Sequence, residues 1–284
     1  MTHLSAPKTV SPLVIVGVGL LGSSIGLAVK KRNLAYTVVG IDNCPKTLDT
    51  ALRRGAVDLV TAELDCLSEM DGALAIICTP VRVIIEYAER IATLNRRVLI
   101  SDVGSTKGNI CGRLEQRGCR FVGAHPIAGS EKSGPESGDG DLFQNRLTLL
   151  TPTASSHPQD VERLRTFWES LGSQVVCMEP NRHDEILAKT SHLPHVLAAT
   201  LASLVESEEH PFCGTGFADM TRIAAGSPAV WTDIFLENKQ PLLSALEHFG
   251  SRLEMLKTAL CEEDITAITQ FLETAQRKRH RGKS

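Results

Sequence analysis

The run Leu13-Val-Ile-Val-Gly17-Val-Gly19-Leu20-Leu21-Gly22-Ser-Ser constrains the fold more than any other part of the chain. Four apolar residues read as a strand, three glycines follow at GxGxxG spacing, and a helical pattern then begins. A strand that turns into a helix through such glycines opens a βαβ unit that binds a dinucleotide. Gly17 permits the tight turn, Gly19 lets the backbone approach a pyrophosphate, and Gly22 lets the helix pack on the strand. The amides of Leu20, Leu21 and Gly22 then open the helix, where N–H groups are unpaired and the dipole is positive. Asp42 lies twenty residues after Gly22, at the end of the second predicted strand. A carboxylate there accepts hydrogen bonds from the adenosine ribose and repels a 2′-phosphate. Neither Asn43 nor Cys44 adds a cation for that phosphate, so the pattern predicts NAD rather than NADP. Thr79-Pro80 follows the fourth predicted strand at its carboxyl end, where an open α/β sheet lines the nicotinamide side of its crevice.

Short apolar runs continue to alternate with helical patterns. Strands are expected at 14–17, 37–41, 58–60, 73–78, 98–101, 121–123, 147–151 and 174–178. Several are apolar throughout, as in sheets covered on both faces. A helix is expected at 45–54, with Pro45 at its start and Gly55 beyond its end. This alternation predicts an α/β domain over 1–178, a Rossmann-type doubly wound parallel sheet. From 179 to 284 the strand signal stops. Residues 184–208, 229–235, 241–260 and 262–278 carry apolar residues at helical spacing, so this second domain is expected to be all helical. About a hundred residues without a sheet make a thin core, and the segments are strongly apolar, which predicts a homodimer through the helical domain.

The formal net charge of −3 offers no footprint for nucleic acid. The basic run from Arg277 to Arg281 reads as a frayed, solvated end. Residues 1–11 lack a leader pattern, and glycines and serines break the apolar run 13–27, so neither secretion nor a membrane span is expected. Eight scattered cysteines with no CxxC pair fit reduced thiols in a cytoplasm.

Three later segments are dense in polar side chains: Asp102-Val-Gly104-Ser105-Thr106-Lys107, Gly123-Ala-His125-Pro-Ile-Ala-Gly129-Ser130-Glu131, and Ser191-His192-Leu-Pro194-His195. In these segments and the motifs His183-Asp184 and Gly216-Phe-x-Asp219-x-Thr221-Arg222-Ile-Ala…Trp231-x-Asp233-Ile-Phe-x-Glu-Asn238-Lys, the chain resembles the prephenate and arogenate dehydrogenases. The resemblance runs from about residue 13 to 239. It implies a dinucleotide-binding domain, a helical dimerisation domain, and oxidative decarboxylation of a cyclohexadienol to an aromatic ring with NAD as hydride acceptor.

That chemistry needs an acceptor for the hydroxyl proton. A neutral imidazole, with an ordinary pKa of about 6.5, suits the task, and the resemblance assigns it to His125. Ser105 would orient the same hydroxyl, though it could equally cap the following helix. Arg222 matches the family arginine that holds substrate, its fork suited to a carboxylate, with a surface ion pair as the alternative. His192, His195, Glu131, Asp184, Asp219 and Trp231 are expected around the substrate. The two histidines could instead be core residues; HxxH here lacks a third ligand motif, so no metal is expected. Glu131 could be a solvated loop residue and Trp231 plain core. Two other readings stay open. A hydroxyacid or pyrroline-carboxylate reductase shares the layout but lacks the His125 motif, and a dinucleotide-sensing regulator would not need His125, Ser105 and Arg222 together.

Overall fold

The computed structural model describes residues 12–34, 36–129 and 132–281; residues 1–11 and Glu131 lie outside the described residues. Strands β1 (Leu13–Val16), β2 (Val38–Ile41), β3 (Leu59–Thr61), β4 (Leu74–Ile77) and β5 (Leu99–Asp102) form a parallel sheet in the order β3-β2-β1-β4-β5. Val16 is level with Ile41 on one side and Ile77 on the other, so the carboxyl ends of the three central strands share one edge. The strand order reverses between β1 and β4, which is where such sheets open a crevice.

Side chains alternate across each strand, and both faces are dry. Leu13 and Ile15 pack with Ile25 and Val29 of α1 (Leu20–Lys31) and with Leu164, Phe167 and Trp168 of α5 (Pro158–Ser170). Val14 and Val16 pack on the other face with Ile84, Ala88 and Ile91 of α3 (Ile84–Leu94) and Leu114 of α4 (Gly108–Gln116). Helix α2 (Pro45–Arg53) starts at its proline and stops before Gly55, whose φ of +69° suits a residue without a Cβ.

Beyond β5 the winding changes. Strands β6 (Gly123–Pro126), β7 (Leu147–Thr151) and β8 (Gln174–Cys177) form a second sheet in which β6 runs antiparallel to β7. A bridge between Ile100 and Phe121 connects it to β5. The sequence reading expected parallel winding throughout. Among the described residues of 127–146, a stretch rich in glycine, there is no crossover helix, and the chain folds back over the helices; Arg54 holds this segment through the carbonyls of Pro135 and Gly138, each at 2.9 Å. The sixth strand also lies later than expected, which puts His125 inside a strand rather than in the loop after one.

The helical part comprises α6 (Pro180–Leu187), α7 (Leu193–Ser203), α8 (Thr215–Thr221), α9 (Pro228–Glu237), α10 (Lys239–Cys261) and α11 (Ile265–Arg281). A π-helical turn, Ala188–His192, joins α6 to α7. The basic run at 277–281 is helical, the last turn of α11, where cations oppose the helix dipole. No helix among the described residues is long and apolar enough to cross a membrane.

Candidate active site

The first part of the site is made of backbone. Gly17 has φ +92°, and a Cβ there would lie 2.9 Å from the Cys78 carbonyl at the end of β4. A Cβ on Gly22 would lie 2.1 Å from the Gly17 oxygen, so only glycine lets α1 start this close to β1. Gly19, the N-cap of α1, faces open space: nothing lies within 4 Å of its would-be Cβ. Asp42 stands beside it, accepting from the amides of Val18 (3.1 Å) and Cys44 (2.9 Å), with lone pairs left on each oxygen. The Thr79 hydroxyl is buried without a partner among the described residues. Open space over a helix start, a fixed carboxylate and an unpaired hydroxyl across the crevice fit a dinucleotide.

The second part is made of buried side chains. Asp184, midway along α6, accepts from the backbone N–H of Lys107 and Gly108, each at 2.8 Å. It thereby caps α4 from another part of the chain, in the manner of an N-cap carboxylate. Asp184 Oδ1 also meets His183 Nδ1 at 2.8 Å, and His183 Nε2 meets His125 Nδ1 at 2.9 Å. The chain of partners assigns the protons. The carboxylate accepts from His183 Nδ1–H; with the ring proton there, His183 Nε2 is the acceptor and His125 donates from Nδ1. His125 Nε2 is left with a free lone pair, the atom a general base needs.

Close by, Lys107 and Asp102 form an ion pair with no exposed surface on either side chain. Asp102 also accepts from the amides of Gly104 (2.9 Å) and Ala124 (3.1 Å), which ties the loop after β5 to β6. The sequence reading took an ordinary imidazole at His125. Burial first, then its electrostatic neighbours His183, Lys107 and His192, push its pKa well below 6.5, so the ring is neutral across the physiological range.

The helical part closes the cluster. His192, at the end of the π turn, is 1% exposed. Burial lowers its pKa to about 4. His195 stacks on Trp231, with ring centroids 3.6 Å apart and planes inclined by 12°. Pro194 sits in the first turn of α7, just after the π turn, where a missing N–H is tolerated. No group of three or more His, Cys, Asp or Glu among the described residues is arranged to hold a metal.

Comparison with known proteins decides what this arrangement belongs to. Residues 25–177 match the family description "Prephenate dehydrogenase, nucleotide-binding domain", and residues 179–274 match "Prephenate dehydrogenase, dimerization domain". The chain belongs to the prephenate dehydrogenase family. It is 34% identical to the cyclohexadienyl dehydrogenase of Zymomonas mobilis over 278 residues, 94% of either chain. It is also 34% identical to the prephenate dehydrogenase of Bacillus subtilis over 275 residues, 93% of this chain and 74% of that protein. The crystal structure of Aquifex aeolicus prephenate dehydrogenase in complex with hydroxyphenyl propionate and NAD+ has a TM-score of 0.89 at 32% identity, covering 99% of each chain.

As a prephenate dehydrogenase family member, the protein is an NAD-dependent oxidoreductase, and its structure gathers many of the residues singled out by sequence. Gly17, Gly19, Gly22, Asp42 and Thr79 meet at the carboxyl edge of the parallel sheet, with the first amides of α1 at Leu20 and Leu21 and with Pro80 next to Thr79. His125, Asp184, His192, His195 and Trp231 belong to the second cluster. Ser105 is half-buried in the loop before α4, and the cap position of that helix is Lys107, not Ser105. Asp219 and Arg222 are exposed at and just beyond the end of α8, with no ion pair among the described residues. Sequence reasoning quoted His183 within a motif but gave it no role; its place between His125 and Asp184 makes it the link of the chain. The signal was its adjacency to Asp184, which decides nothing until α6 is placed against β6.

Proposed function

We propose that this NAD-dependent dehydrogenase converts prephenate to 4-hydroxyphenylpyruvate, with His125 as the general base. The Gly17–Gly22 turn, Asp42, Thr79 and Pro80 would hold NAD, which when bound would supply the acceptor for the hydride that leaves the carbinol carbon. His125 Nε2 takes the hydroxyl proton, and Ser105 orients that hydroxyl. The imidazolium so formed is stabilised through His183 by the Asp184 carboxylate, as a buried cation requires. The ring carboxylate leaves as CO2, the electrons of its bond complete the aromatic ring, and the phenolate oxygen takes the proton back from His125. Arg222 binds a substrate carboxylate, Glu131 and Asp219 contribute to substrate binding, and His192, His195 and Trp231 line the pocket. The observation that carries this reading is the hydrogen-bonded series Asp184–His183–His125, which leaves one imidazole nitrogen basic in a dry site.

The equal identity to a cyclohexadienyl dehydrogenase supports a second reading, in which arogenate is oxidised to tyrosine. The two substrates share the carbinol and both carboxylates. Measuring kcat/KM for prephenate and arogenate, each with NAD and NADP, separates them: a higher value for prephenate with NAD is expected. Turnover of neither substrate would overturn the assignment.

The working unit is proposed to be a homodimer joined through the helical domain. On α10, Leu243, Leu253, Met255 and Leu260 are exposed, and on α11 so are Ile265 and Leu272, apolar side chains of the kind that a subunit contact covers. Light scattering at micromolar concentration is expected to give a two-chain species; a single-chain mass would refute it.

A further inference from the structure

Asn238 lies between α9 and α10 and is 1% exposed. Its side-chain nitrogen makes two contacts, one to the backbone carbonyl of Asp184 and one to His192 Nδ1, both at 2.9 Å. A backbone carbonyl only accepts, so the amide must present its NH2 on that side. Turning the amide over would set two oxygens against each other. With both amide hydrogens used, His192 Nδ1 has to be the acceptor, and the ring proton of neutral His192 sits on Nε2. That Nε2–H is fully buried and has no partner among the described residues. A buried donor left unpaired is unfavourable and is tolerated where a ligand completes it.

We infer that Asn238 is a positioning residue that locks His192 as an Nε2–H donor, and that this N–H binds an acceptor oxygen of the substrate beside His125. The inference rests on the substrate reading above. It extends that reading by giving the two buried histidines opposite duties: His125 offers a lone pair and His192 a proton. Both are neutral imidazoles in a dry site, held in opposite tautomers by different partners. The Asp184 main chain takes part in the lock, while its side chain sets the His183–His125 series, so one residue organises both rings.

The test combines imidazole 15N spectra with kinetics. In the wild-type protein, His192 Nε2 is expected to be protonated and Nδ1 unprotonated, and hydroxyphenyl propionate added with NAD is expected to shift the Nε2 signal. Asn238→Asp replaces the donor by an acceptor, so Nδ1 should become protonated and kcat/KM should fall at least tenfold. His192→Gln keeps an N–H near the Nε2 position, whereas His192→Asn reaches only the Nδ1 position. Gln is therefore expected to retain at least tenfold more kcat/KM than Asn, a comparison that holds if the Asp variant does not fold. Protonated Nδ1 in the wild type, or equal activity of the Gln and Asn variants, overturns the inference. The spectrum needs no turnover. Failure of the substrate reading would show as an inactive wild type with the tautomer intact, distinct from failure of the lock.

Discussion

The dinucleotide turn and the histidine cluster are built on opposite principles. The turn is six consecutive residues, Gly17 to Gly22, whose working parts are main-chain amides and the absence of side chains. The cluster draws on residues 102–107, 123–126, 183–195 and 226–238, and its working parts are side chains whose protons are fixed by one another. A site made of backbone is lost by adding atoms; a site made of side chains is lost by changing which atom carries a proton. The first should fail sterically and the second chemically, with the fold intact.

The largest expected effect is on the chemical side. His125→Asn should lower kcat by roughly 10²–10⁴, the usual contribution of a general base, with NAD affinity unchanged. Near-normal turnover would remove His125 from the mechanism. Next comes Arg222→Ala. Because the arginine is exposed, its loss should raise KM for the substrate by about ten- to a hundredfold, less than a desolvated ion pair would give. Lysine should restore little, since it lacks the fork. An unchanged KM with a lowered melting temperature would make Arg222 a structural residue instead.

Two glycine variants sharpen the steric half of the contrast. Gly19→Ala adds a methyl group where nothing lies within 4 Å, so the melting temperature should hold while KM for NAD rises about tenfold. Gly22→Ala puts its Cβ 2.1 Å from the Gly17 oxygen and should lower the melting temperature. If both variants behaved alike, the division between space for a ligand and space for packing would be wrong.

The smallest effect is on stability. Burial lowers the pKa of His125, His192 and His195 in the folded protein, with His192 at about 4. The unfolded chain, with histidines near 6.5, therefore takes up protons first on acidification. The stability they contribute is present above pH 6.5 and lost as pH falls from there towards 4. Melting temperature should be nearly flat from pH 9 to 7 and decline below about 6.5, and His192→Gln should flatten the decline. A melting temperature that rises towards pH 5 would contradict the buried, neutral cluster.

Legibility follows the same division. The parallel sheet and its turn could be read because each part is local: an apolar run, three glycines, an acid twenty residues on. The antiparallel β6 could not, because direction depends on a connection, 127–146, whose lack of a helix is a negative signal. His125, His192, His195 and Asp184 could be named from motifs, but their partners could not. His183 and Asn238 acquire roles only through neighbours 58 and 46 residues away, His125 and His192. Periodicity along a segment carries no information about contacts at that range. The depressed pKa of His125 escaped for the same reason: it comes from what surrounds the ring once β6 and α6 are packed.

Asp184 has a consequence for how such a chain can change over generations. Its carboxylate holds the start of α4, which belongs to the nucleotide-binding half, while sitting on the first helix of the other half. One of these oxygens, Oδ1, also orients the base through His183. Recombination that joined this N-terminal half to a foreign helical half would lose a helix cap and a proton acceptor at one stroke unless residues 183 and 184 travelled with it. The two halves look like separable modules in outline, yet at this carboxylate they are inherited as a single unit.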